Sequence, residues 1–344
     1  LAGAVERLAR ERNTRVKNPR EIAKFILKLG VGAAVVTYVL HSRMIDFEAM
    51  KSILFSPWNL LIVMAMLNLS AACCALRWYQ LSRVQGLSLS RFTMYELIMI
   101  GSFFNTFMPG AVGGDVIKAW YVAGREPARK MRAVYIMFLD RVLGLAVIVF
   151  YAAFTLVFYR QWLPVHPELK WLAAGIWGFS SACLLFGGLF FLSRFLGWSF
   201  LDRLLHRLER WPRLHDLLQS TFAYRNHFGV LLLALTLSAV SILGQNVLYK
   251  IQGDLLGIPM DIAHYLFIVP VVMTVSAVPI LPGGIGVGQV AFFKLFEWTG
   301  MANPQQGATL CTVMQVYTIL FNCTGAFFYL RFRRQPTLAP GLSG

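Results

Sequence analysis

The chain has 344 residues, 57% of them hydrophobic and 14% charged, with a mean hydropathy of +0.60. That is too apolar for an ordinary soluble domain, and several runs are long enough to cross a bilayer, so the composition indicates a multi-pass membrane protein. The net charge of +16 does not signal nucleic acid, because the basic residues cluster between apolar spans, where cytoplasmic loops meet anionic headgroups.

A basic leader over 1–21 precedes a first apolar run over 22–40. The run has no convincing signal-peptide cleavage site and reads as a permanent membrane helix, and a start at Leu1 rather than Met suggests a trimmed chain. Further spanning runs lie near 59–76, 133–158, 171–192, 229–249 and 308–330. Two other stretches, 92–123 and 262–299, are as apolar but are cut by glycine-rich breaks, Pro109-Gly110-Ala111-Val112-Gly113 and Pro282-Gly283-Gly284-Ile285-Gly286. Such breaks are costly in hydrocarbon unless the freed backbone groups line a protected or hydrated cavity, and a matched pair in two halves points to a substrate path.

Lys and Arg set the orientation. Eight lie in the leader to residue 28, three in 77–91, five in 118–132, six in 193–228 and three from Arg331 onward, against two, two and one in 41–58, 159–170 and 250–261. The first group is expected to be cytoplasmic and the second external. Both flanks of 92–123 are then cytoplasmic, which predicts a re-entrant hairpin, and 262–299 becomes a hairpin entered from outside. Six full spans put both termini in the cytoplasm, of the inner membrane if the source is bacterial. Three crossings per half invert the second half relative to the first, so the expected fold is an all-α inverted-topology repeat. Its parts are repeat 1 over 22–158, repeat 2 over 171–330 and a cytoplasmic tail over 331–344; eight ordinary kinked spans are the alternative. Within 194–227, apolar residues at helical spacing face Arg203, Arg207 and Arg210, as in a helix on the headgroup surface or one capping the bundle.

Asp115, just after Gly113-Gly114, is placed to cap the returning half-helix of the first hairpin, with Lys118 one turn on. Asp140 and Arg141 lie within a span, where ionisable residues need partners. Arg141 is expected to pair with Asp115, and Asp140 with Lys118 or a substrate-bound cation. In the second hairpin, Gly284 and Gly286 expose backbone dipoles and Gln289 is the first polar side chain after the break. Gln245, Asn246, Gln315 and Asn322 could contact a headgroup or bond between helices. The five cysteines lack metal-type spacing, no histidine pair has it either, and neither a zinc-hydrolase nor a serine-triad pattern is found. No cofactor or metal is called for.

Three motifs in this order carry a family resemblance: Phe104-Asn105-Thr106-Phe107-Met108-Pro109-Gly110 leading to Gly113-Gly114-Asp115, then Asp140-Arg141-Val142-Leu143-Gly144-Leu145, then Pro282-Gly283-Gly284-Ile285-Gly286-Val287. Over roughly 20–330 the chain resembles the lysylphosphatidylglycerol synthase transmembrane-region family of flippase-like membrane domains. The resemblance implies movement of a polar- or anionic-headgroup lipid between leaflets: an aminoacyl-phospholipid, another phospholipid or a polyprenyl-linked lipid. In two-domain members a separate soluble domain performs the aminoacyl transfer; this chain stops soon after its last span, so that domain is expected to be absent and the chain is expected to move the lipid without making it. The chain departs from the family pattern with Lys118 where arginine is usual, and with Gly288-Gln289 where Arg-Glu is common. A membrane-embedded enzyme or accessory subunit for lipid glycosylation, and a small-ion or metabolite transporter, are the rival readings. The expected partners are membrane lipids, anionic headgroups at the cytoplasmic surface, and either a second copy or a separate lipid-modifying enzyme.

Overall fold

The computed structural model describes residues 45–107, 113–125, 130–160, 167–192, 220–276, 286–300 and 302–333. The run over 22–40, the leader, the hairpin tips, most of 194–227 and the end of the tail lie outside them. The described residues form α1 (Phe47–Leu54), α2 (Pro57–Val84), α3 (Arg91–Phe107), α4 (Gly113–Arg125), α5 (Lys130–Phe158), α6 (Pro167–Leu192), α7 (Phe228–Leu255), α8 (Ile262–Ser276), α9 (Val287–Thr299), α10 (Pro304–Cys323) and α11 (Gly325–Arg333), with no strand among them.

Five helices are long and apolar enough to cross a membrane: α2, most of α5 and α6, α7, and α10 with α11 taken together. They coincide with five of the six apolar runs. Their outward faces carry large apolar side chains, among them Trp58, Leu61, Leu69, Trp171 and Phe186, all exposed. In water such faces would be a severe liability, whereas lipid tails solvate them. The protein is therefore a multi-pass membrane protein.

Two details differ from the sequence expectation. The segment 77–84, read as cytoplasmic loop, continues α2, because Trp78 and Leu81 extend its buried face and nothing breaks the helix until Gly86, which turns the chain at φ 75. The last span is interrupted at Thr324. There a Cβ on Gly325 would stand 2.2 Å from the Met99 carbonyl oxygen, so α11 seats directly on the backbone of α3.

The two broken stretches each give a pair of short helices. Those of the first have 17 and 13 residues and those of the second 15 and 13. At about 1.5 Å per residue, none reaches the ~30 Å of a hydrocarbon core. Within each pair the helices pack on one another, α3 with α4 and α8 with α9, so both stretches are helical hairpins.

Several of the remaining contacts repeat in both halves. The span before each hairpin packs on its first arm (α2 on α3, α7 on α8), and the span after it packs on its second arm (α4 on α5, α9 on α10). The first arms exchange partners between halves, α3 lying against α10 and α11, and α8 against α5, while α2 and α7 pack together. Two hydrophobic cores result, one around hairpin α3–α4 and one around hairpin α8–α9. The described end of the amphipathic segment docks on the bundle. Gln85 Nε2 donates to the Ser220 carbonyl at 2.7 Å, and the Tyr224 hydroxyl donates to the Leu81 carbonyl at 2.8 Å.

Candidate functional site between the two hairpins

Hairpin α3–α4 closes tightly because glycine occupies the contact. A Cβ on Gly114 would stand 1.9 Å from the Gly101 carbonyl oxygen, and one on Gly101 would meet the Lys118 stem at 2.9 Å. Backbone therefore lies on backbone. The start of a helix leaves N–H groups without intrahelical acceptors, and here the opposite arm supplies one: Gly114 N–H donates to Asn105 Oδ1 at 2.8 Å. The capping role expected of Asp115 thus falls to Asn105.

Asp115 gathers cations instead. Arg141 Nε donates to its Oδ2 at 2.5 Å, the pairing expected from the sequence. Lys118 Nζ stands 2.6 Å from Oδ1, a close ion contact without the alignment of a full hydrogen bond, and lies 5.5 Å from the centre of the Trp78 ring. Lys118 is buried and bound to Asp115, so it is not the partner of Asp140.

That partner is Arg77, from the part of α2 assigned to a loop. Arg77 Nε donates to Asp140 Oδ1 at 2.7 Å, and Arg77 Nη1 donates to Ser238 Oγ of α7 at 2.6 Å. One triad thus ties α2, α5 and α7 together. Gly144, one turn beyond Asp140, lies beside the guanidinium, and a Cβ there would sit in ordinary contact 3.5 Å from Arg77 Nη1. An arginine directly after an apolar run, with no Gly or Pro before residue 86, is the signal that could have found it. Adjacent helix positions diverge by about 100°, which lets Asp140 face inward to Arg77 while Arg141 faces the other hairpin. Arg77, Lys118 and Arg141 outnumber Asp115 and Asp140 by one positive charge, and the cluster's exposed member is Arg141, with 52% of its side chain accessible.

Arg141 borders a cavity of about 470 Å³ that separates the two hairpins, with Asn105 on α3, Gln245 on α7, Gly288 on α9 and Gln315 on α10 also on its walls. Arg141 is the one charged side chain among the described residues of the lining. The volume falls within the ~300–1,000 Å³ of ligand pockets.

The wall formed by hairpin α8–α9 is neutral. Gly286, at φ 87, opens α9, and its N–H donates to Gln289 Oε1 at 2.7 Å. Gln289 Nε2 in turn donates to Gln315 Oε1 at 2.6 Å. Gln289 is only 3% exposed, so it works behind the cavity wall, and Gln315 is the side chain that reaches the cavity. Of the other candidate amides, Asn322 lines the cavity and donates to Thr106 Oγ1 at 2.8 Å, whereas Asn246 is buried and donates to the Ile242 carbonyl.

The fold brings Asn105 and Arg141 to the cavity. It places Gly113, Gly114, Asp115, Lys118 and Asp140 in the structure behind them, and Gly286 with Gln289 behind Gln315. Pro109, Gly110, Pro282, Gly283 and Gly284 lie outside the described residues. Arg77 and Ser238 were not foreseen.

The family model for the lysylphosphatidylglycerol synthase TM region matches residues 25–325. No curated protein and no solved structure matches the chain.

Proposed function

Since the chain belongs to the lysylphosphatidylglycerol synthase TM-region family, we propose that it moves a lipid with a polar or anionic headgroup between the two leaflets, as a flippase or scramblase, without changing the lipid's chemistry. The observation that carries this reading is the cavity between the hairpins, with one exposed guanidinium and a ring of amides on its walls. A headgroup held there exchanges bulk water for fixed dipoles while its acyl chains remain in hydrocarbon. Arg141, oriented by Asp115, takes the phosphate.

The matched contact scheme of the two halves supports an inverted repeat, and the short arms of both hairpins support re-entrant elements that enter from opposite sides. With the run over 22–40 as a further crossing, both termini are cytoplasmic. The basic loops hold the protein against anionic headgroups on that side, and the partner is a second copy or a separate lipid-modifying enzyme.

The test is leaflet exchange in vesicles containing the purified protein and a fluorescent phosphatidylglycerol, with a membrane-impermeant reductant bleaching the outer leaflet. The bleached share should rise from the outer-leaflet fraction toward completeness, and Arg141→Gln should slow the rise with lipid mass unchanged. A changed lipid mass, or no exchange of either phosphatidylglycerol or a polyprenyl-linked sugar, removes the reading. Topology is checked with single cysteines: Arg125→Cys should react with an impermeant thiol reagent only from the cytoplasmic side and Asn303→Cys only from outside. External labelling at 125 would favour eight ordinary spans.

A further inference from the structure

Two backbone N–H groups, one at each hairpin break, decide which end of a cavity-lining side-chain amide is left available to a ligand. A backbone N–H can only donate. The Asn105 atom 2.8 Å from Gly114 N–H is therefore the oxygen, and the Asn105 NH₂ is left at the other end of the amide. On the opposite wall the constraint passes through two side chains. Gly286 N–H claims the Gln289 oxygen at 2.7 Å, so Gln289 has only its NH₂ to offer Gln315, whose oxygen accepts it at 2.6 Å. Gln315 Nε2 is left beside Gly288, 3.8 Å from where a Cβ on that glycine would stand.

Asn105, Gln315 and Arg141 line the same cavity, and no carboxylate lines it among the described residues. Each amide has its oxygen engaged by a donor that cannot reverse, which leaves its NH₂ as the end available to a ligand, and a guanidinium has only donors. At these three residues the opposed walls therefore offer N–H groups, and the acceptors elsewhere on the lining, such as the Asn322 oxygen left by its bond to Thr106, are uncharged.

We infer that the cavity selects an oxygen-rich anionic headgroup, a phosphodiester bearing hydroxyls, and disfavours a cationic aminoacyl headgroup, with Gln289 setting that preference from behind Gln315. The inference rests on the lipid-transfer reading for its site and adds which headgroup the site holds. Phosphodiester and hydroxyl oxygens accept from Arg141 and from both NH₂ groups. An ammonium group has three donors and no acceptor, so at Asn105, Gln315 and Arg141 it meets donors with donors and a guanidinium with like charge, and no carboxylate among the described lining residues offsets that charge. Gln289 never touches the lipid; it is a positioning residue.

The whole protein in micelles is titrated with short-chain phosphatidylglycerol, a polyprenyl-phosphate sugar and lysyl-phosphatidylglycerol, and heat of binding is recorded. At least one of the two anionic lipids should bind saturably and about tenfold or more tightly than the lysyl lipid, the effect of one hydrogen bond to a charged group. The tighter of the two identifies the lipid source. Gln289→Glu still accepts from Gly286 N–H but cannot donate, so Gln315 turns its NH₂ toward residue 289 and its oxygen to the cavity, and the preference should shrink by about fivefold or more. Gln315→Glu serves if Gln289→Glu does not fold: it still accepts from Gln289 while placing a carboxylate oxygen at the cavity, and should shift the preference toward the lysyl lipid. Equal or tighter binding of the lysyl lipid by the unaltered protein, no saturable binding of either anionic lipid, or an unchanged preference in a folded Glu variant overturns the inference. Selective binding without leaflet exchange would remove the transfer reading alone, and faster exchange of the lysyl lipid would remove this inference alone.

Discussion

The returning arms of the two hairpins are fastened to the following span by different means: α4 is tied to α5 by Asp115, held between Lys118 and Arg141, whereas α9 is tied to α10 by an uncharged amide relay from Gly286 through Gln289 to Gln315. The difference bears on how each fails. A buried ion pair is unforgiving of a single neutralisation, because the surviving charge is left without its partner. An amide relay tolerates loss of strength but is sensitive to exchanging donor for acceptor. The first hairpin therefore supplies rigidity and charge to the cavity, and the second supplies polarity with a defined direction.

The largest contrast is expected from Asp115→Asn. Lys118, with 11% of its side chain accessible, loses its counter-ion, and the cost should be about 3–5 kcal/mol, read as a fall in the thermal unfolding midpoint in micelles. Arg141, being half exposed, contributes a smaller share through solvent screening. The double variant Asp115→Asn with Arg141→Gln should lose less than the two single variants added together, and strict additivity would show that the pair is not coupled.

Next comes the backbone contact. In Gly114→Ala the new Cβ would stand 1.9 Å from the Gly101 carbonyl oxygen, which cannot rotate away, so hairpin α3–α4 must part at a cost of about 3 kcal/mol, at the upper end for overpacking. An unchanged unfolding midpoint would mean that the two arms do not meet at this position.

Gln289→Ala probes the other hairpin and should cost about 1–3 kcal/mol, since Gly286 N–H and the Gln315 oxygen each lose a partner. The same denaturation series, set beside Asp115→Asn, measures the difference between a charged tie of α4 to α5 and a neutral tie of α9 to α10. If the two costs proved equal, the distinction drawn between them would fail.

The smallest effect is predicted for Gly288→Ala. Its Cβ would meet Cys311 Sγ at 2.9 Å, the end of a side chain that can shift, and alanine gains up to about 1 kcal/mol in helix propensity over glycine. The unfolding midpoint should stay nearly unchanged. A loss as large as that of Gly114→Ala would show that α9 is packed on α10 as rigidly as α4 on α3.

How much of this could be read in advance depended on the range of the interaction. The breaks at Gly113 and Gly286 stood out because Pro-Gly pairs are rare inside apolar runs, and the Asp115–Arg141 pair followed from the need of two membrane-embedded charges for each other. Arg77 did not stand out, because the end of a span and the start of a loop look alike in composition, and its bond to Asp140 depends on how α2 crosses α5, 63 residues away. Asn105 as the cap of α4 was equally hidden, since capping is sought just before a helix and this cap comes from the opposing arm.

The sequence by itself determined the solvent of this protein, the number and approximate position of its described spans, the sites of both breaks and the family to which it belongs, all of which follow from local hydropathy, chain-breaking residues and short motifs. Tertiary structure alone decided which carboxylate each cation meets, how closely Gly101 and Gly114 approach, and which end of Asn105 and of Gln315 is engaged by its neighbour. Hydropathy is a property of neighbours along the chain, whereas charge pairing and amide orientation are set by a single partner atom within about 3 Å, and only the packing of distant helices brings that atom into place.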